Sequence, residues 1–129
     1  MTAGHDIFPV LRALDFDVKS GIELCGGDAA FYCDLIRELH ADVLVRRGEA
    51  LGSPNLDVRR EYAHLLKGTL QVLGETRASI KARALEQALR EGAPPQELTD
   101  SLAADLDQLN QALENAFGSS KTDGSYSQT

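Results

Sequence analysis

The chain contains no tryptophan, and phenylalanine and tyrosine together supply only 5% of its 129 residues. No run of alternating β-branched residues appears, so a pleated sheet would have little to pack its faces with, and the composition predicts an all-α protein. Cysteine is equally sparse. Cys25 and Cys33 are not in a CxxC arrangement, and free, reduced thiols are expected. His5, His40 and His64, taken with the two cysteines, lack the dense spacing of a metal site, and none is expected. No P-loop, dinucleotide fingerprint or Ser/His/Asp order can be found. No apolar run is long enough to span a bilayer, and the first residues have neither a charged n-region nor an apolar h-region, so no membrane association and a cytoplasmic location are expected. Basic residues are too few for a general nucleic-acid binder: 13 Lys and Arg face 20 Asp and Glu, for a net charge of −7 and a pI near 4.8.

What remains is leucine and alanine at helical spacing. The length suits one domain, organised as an N-terminal helical extension (1–15), a helical bundle (16–117) and a polar, disordered tail (118–129). Short helices are expected over 6–14 and from Asp17 to Leu24, stopped by Gly26-Gly27. Asp28 is a good N-cap for a long helix to about Leu51, with Phe31, Tyr32, Leu35, Ile36, Leu39 and Val43 on one face. Ser53-Pro54 reads as N-cap and first turn of the next helix, which Gly74 ends or bends. A helix from Glu75 to Glu91 follows, with Ala78, Ala82, Leu85 and Leu89 inward and Ile80 opposite, so that Ile80 is either covered by the N-terminal helix or exposed. After Gly92-Ala93-Pro94-Pro95 a last helix runs to about Phe117. Four long amphipathic helices with short connections imply an antiparallel bundle with one or two short N-terminal helices.

Residues 63 to 74 carry the functional signal. At 100° per residue, Tyr62, Leu66, Thr69 and Leu73 lie behind His64 and form the expected buried stripe, flanked by Leu65 and Val72 on one side and Ala63 and Leu70 on the other. On the histidine's own side stand Asp57, Arg60, Glu61, Lys67, Gly68 and Gln71, none of them a core former. Glycine inside a helix costs roughly 1 kcal/mol relative to alanine, so Gly68 points to a close approach by something else. Between positions 54 and 92 seven basic residues outnumber five acidic ones. The histidine is thus offered to solvent from a mildly basic helix pair within an acidic protein, a surface suited to an acidic partner pocket.

The pattern His64-x-Leu66-Lys67-Gly68 with Gly74 resembles the histidine-containing phosphotransfer (HPt) domain of bacterial two-component phosphorelays. Gly26-Gly27-Asp28 with Phe31-Tyr32 and Leu35-Ile36 upstream, and Leu85-Glu86-Gln87-Ala88 with Arg90 downstream, are similar to the same family, and the resemblance runs from about Phe16 to Phe117. It implies a four-helix bundle in which His64 accepts a phosphoryl group through Nε2, Lys67 helps neutralise the phosphoryl oxygens, Gly68 leaves room for the partner, and Glu86 orients the other ring nitrogen. Asp57, Arg60, Glu61, Gln71 and Arg83 are the candidate docking surface. The implied partners are a histidine kinase and the receiver domains of response regulators, with Mg²⁺ held by the receiver and no cofactor in this chain. The protein would be a monomeric phosphocarrier without catalysis of its own. Leu65, Leu70 and Val72 are bulkier than the family's usual residues, and Leu65 and Val72, beside the histidine, keep a second reading open: a non-phosphorylated adaptor of the same fold that regulates a receiver or kinase by occupancy.

Overall fold

The computed structural model describes residues 7–125, with side chains to Phe117. The expectations for His5 and for residues 126–129 lie outside that range. Among the described residues every regular element is helical: α1 (Ile7–Ala13), α2 (Val18–Leu24), α3 (Ala29–Glu38), a π-turn (Leu39–Val43), a 3₁₀ turn (Leu44–Arg46), α4 (Arg47–Leu51), α5 (Leu56–Val72), α6 (Arg77–Glu91) and α7 (Gln96–Ser125). The last helix extends beyond the expected end at Phe117.

Local chemistry sets most boundaries. Asp17 and Asp28 accept hydrogen bonds from the backbone N–H groups of Ser20 and Phe31 and cap α2 and α3. The cap of α5 differs from expectation. Asn55 receives the N–H of Asp57 at 3.0 Å, while the Ser53 hydroxyl accepts from the N–H of Asn55 and only shapes the approach. Helix α6 likewise begins two residues later than predicted. Gly74, at φ +91°, turns the chain, and the carboxylate of Glu75 folds forward to accept the N–H groups of Ala78 and Ser79 at 3.0 and 3.2 Å. With the helix starting at Arg77, Ala78 and Ser79 are among the first N–H groups that lack an intrahelical acceptor, and the buried carboxylate satisfies them.

The long helix expected from Asp28 is interrupted. The N–H of Leu44 reaches back to the carbonyl of Leu39, a π-type bond, and the 3₁₀ turn then tightens the chain again. In consequence Leu44 is fully buried and Val43 only half-buried, whereas a straight helix would have put Val43 inside. Phe31, placed on the same inner face by its spacing, is 47% exposed.

A single core collects Leu11, Tyr32, Ile36, Leu39, Leu44, Leu66, Leu70, Leu85, Leu102, Leu106 and Leu113, all at or below 1% exposure. Helix α5 packs along α6 and α6 along α7, with α4 against both α5 and α7 and α1 against α7. The buried face of α5 is Tyr62, Ala63, Leu66, Leu70 and Leu73; Thr69, assigned to that stripe, is only half-buried, and Ala63 and Leu70, assigned to a flank, are in the core. Two buried tyrosines tie elements together through their hydroxyls, Tyr32 donating to the carbonyl of Leu73 and Tyr62 to that of Val43, each at 2.7 Å. Ile80 is exposed, which resolves its alternative. No helix of the described residues is long and apolar enough to cross a membrane.

Candidate functional site

His64 stands in the middle of α5 with 62% of its side chain exposed, as the helical phase requires of a position opposite the Leu66–Leu70–Leu73 stripe. One face of the ring is not free. Its Nδ1 lies 2.8 Å from Oε2 of Glu86, a residue of α6 whose side chain is only 5% exposed. The spacing on α6 explains why an acid is buried there: Glu86 follows Leu85 and sits one turn beyond Ala82, at the edge of the face that packs on α5.

A carboxylate out of water needs donors, and Glu86 has them on both oxygens. Lys67 Nζ lies 2.8 Å from Oε1, and Arg90 Nη2 lies 2.9 Å from Oε2, the oxygen that also faces the histidine. Burial pushes the Glu86 carboxyl up, but the hydrogen bonds from Lys67, Arg90 and His64 outweigh that effect and hold it at about 2. At neutral pH Glu86 is therefore an ionised acceptor with no proton to give. The imidazole nitrogen facing it must carry the hydrogen, so in the uncharged ring Nε2 bears the lone pair. An exposed ring with a fixed tautomer is a nucleophile aimed at solvent, held on a rigid helix.

His64, Lys67 and Glu86 are thus brought together, though Lys67 lies on Glu86 rather than standing free beside the ring. Gly68 meets open space: a Cβ built there has no neighbour within 4 Å, so nothing inside the chain requires glycine. The other candidates are scattered. Asp57 pairs with Arg60 at 3.6 Å near the start of α5, and Glu61 is exposed beyond them. Gln71 and Arg83 border a shallow hollow of about 120 Å³ on the α5–α6 seam with Lys67, Thr76, Ser79 and Ile80. None of these five is bonded to His64 among the described residues.

Two features were given no role from the sequence, where Arg90 stood only as part of the downstream motif. Arg90 reaches Glu86 across one helical turn, and its i,i+4 spacing after a glutamate was the available signal. The second is a groove of about 760 Å³ running from His64 and Gly68 past Leu65, Thr69 and Val72 on α5, with Leu35, Glu38, Asp42, Val43 and Arg46 forming its opposite wall. No local pattern announces it, because that wall comes from the π-turn region of a different helix. Beyond the π-turn, a groove of about 550 Å³ against α7 contains His40, hydrogen-bonded to Glu114 at 3.0 Å, and none of the candidate site residues. His40 serves there as a strut between helices.

Comparison of the chain with protein-family models, curated proteins and solved structures returned no match.

Proposed function

We propose that the protein is a histidine phosphocarrier of the HPt type, its α3–α4 stretch, α5, α6 and α7 forming the family's antiparallel four-helix bundle. The observation that carries the reading is the exposed His64 ring with Nδ1 held by a buried, ionised carboxylate and Nε2 left to solvent. In this reading Nε2 attacks the phosphorus of an aspartyl phosphate on a receiver domain. The P–O bond breaks, the carboxylate leaves, and the N–P bond forms; the reverse step reloads a receiver. Positioning and charge stabilisation dominate such transfers, so the carrier supplies a fixed ring, and the receiver supplies Mg²⁺ and the acidic pocket. The positive charge of the phosphorylated ring rests against Glu86. Gly68 gives the partner access one turn from His64, and the apolar groove beside the ring supplies contact area. The carrier works as a cytoplasmic monomer, taking its phosphoryl group from a histidine kinase or a loaded receiver.

The test is incubation with ATP and a panel of histidine kinases, and with phosphorylated receivers, followed by assay for acid-labile, base-stable label. Wild-type protein is expected to take up label and His64→Gln none. Absence of label from every donor, with receiver binding retained in both proteins, would establish instead the second reading, a regulatory adaptor. That reading is favoured by Leu65 and Val72, 39% and 43% exposed beside the histidine, where they offer a binding surface that needs no chemistry.

A further inference from the structure

One carboxylate, Glu86, is served by two cations as well as by the histidine, and the two are not equivalent. Arg90 shares Oε2 with His64. Lys67 occupies the other oxygen, Oε1, alone. Either cation suffices in principle to offset a single buried negative charge, and two long side chains held in one place cost rotamer entropy. The arrangement gains a purpose once the state of the ring changes. A phosphoryl group on Nε2 adds up to two negative charges on the far side of the imidazole from Glu86. Lys67, one turn from His64 and on the oxygen the ring does not use, can leave Glu86 without disturbing the His64 hydrogen bond. Arg90, on the shared oxygen, cannot.

We propose that Arg90 is a positioning residue that keeps Glu86 an acceptor for Nδ1–H when Lys67 turns from Glu86 to the phosphoryl group, so that the two cations are redundant in the free protein and not in the loaded one. The second half of this statement rests on the phosphocarrier reading; the first does not. With both cations present, or either one, Glu86 stays ionised and the ring keeps its proton on Nδ1. With neither, the carboxyl is buried without a counter-charge and is no longer held against Nδ1–H, so the ring loses its fixed acceptor and its proton moves to Nε2.

The experiment reads the ring directly, by two-bond ¹H–¹⁵N correlation spectra of His64 in alkaline buffer. Samples are the wild type, Lys67→Met, Arg90→Met, the double variant and Arg90→Lys, with circular dichroism as the check on folding. The Nδ1–H form is expected in the wild type and in all the single variants, and the Nε2–H form in the double variant alone. Phosphoramidate then serves as donor: its P–N bond breaks, ammonia leaves, and phosphorus bonds to Nε2. The phosphohistidine of Arg90→Met is expected to be roughly tenfold shorter-lived than that of wild type, the scale of one charge-assisted hydrogen bond, with recovery in Arg90→Lys. A ring that switches tautomer in Lys67→Met alone, or keeps Nδ1–H in the double variant, overturns the clamp. An unchanged lifetime in Arg90→Met overturns its role in the loaded state. Failure of His64 to accept phosphorus, with the tautomer results as expected, removes the phosphocarrier reading and the movement of Lys67, and leaves the clamp standing.

Discussion

Two glycines six positions apart on and after α5 do opposite things. At Gly74 the backbone is left-handed, φ +91°, and an added Cβ would collide with the carbonyl of Asp17, whose own N–H is bonded to Gly74 O at 2.8 Å. At Gly68 the backbone is ordinary helix and the space beyond it is open. Gly74→Ala is therefore expected to destabilise the fold by at least the 1–2 kcal/mol or so of a left-handed alanine, with the collision added. Gly68→Ala should stabilise it by about 1 kcal/mol, the usual helix preference. Urea denaturation of the two variants measures both signs, and a stabilised Gly68→Ala protein that exchanges phosphoryl groups more slowly with a receiver would locate the need for glycine in the partner. The histidine's exposure and its lysine and glycine neighbours were legible from helical phase alone. The engagement of Lys67 by Glu86 was not, since periodicity fixes the direction of a side chain but not which of several nearby charges it selects.

Among the elements, those with a capping acid or a glycine stop were placed closely by sequence, as α2, the start of α3 and the end of α6 illustrate. Misplaced boundaries arose where two residues competed for one role. Ser53 and Asn55 are both good caps, and the winner is the one whose side-chain oxygen reaches the N–H of Asp57. Asn55→Ala is accordingly expected to cost about 1 kcal/mol in denaturation midpoint analysis, and Ser53→Ala distinctly less. The π-turn was illegible for another reason. Nothing in Leu39-His40-Ala41-Asp42-Val43 departs from helical spacing, and the wide turn is settled by contacts made elsewhere, His40 to Glu114 on α7 and the carbonyl of Val43 to the hydroxyl of Tyr62 on α5. Long-range packing of this kind overrides local phase and leaves no trace in it.

For the molecule as a whole, two buried glutamates pull the pH dependence of stability in opposite directions. Glu86 is held at about 2, below its unfolded value near 4.5, so its contribution is present above that value and is lost as pH falls toward 2. Glu75 is raised, by burial first and against the N–H groups of Ala78 and Ser79, so its contribution is complete below the unfolded value and is lost as pH rises through the folded one. Stability measured by denaturant across pH is expected to lose part of its acid limb in Glu86→Gln, while Glu75→Gln should gain on the wild type as pH rises. The overall class was open to inspection in composition and spacing; the charge balance of the interior was not, because Glu86 sits at the edge of a stripe and Glu75 in the turn between α5 and α6, where burial depends on the neighbouring elements. The sequence separations of the contacts carry a consequence for the order of assembly. His64 and Glu86 are 22 positions apart, on consecutive helices joined by a short turn, whereas the ties that close the rest of the molecule span 41 positions from Tyr32 to Leu73 and 74 from His40 to Glu114. Local contacts form before distant ones in folding, so the α5–α6 hairpin can hold its histidine–carboxylate pair before the two ends of the chain have found their places.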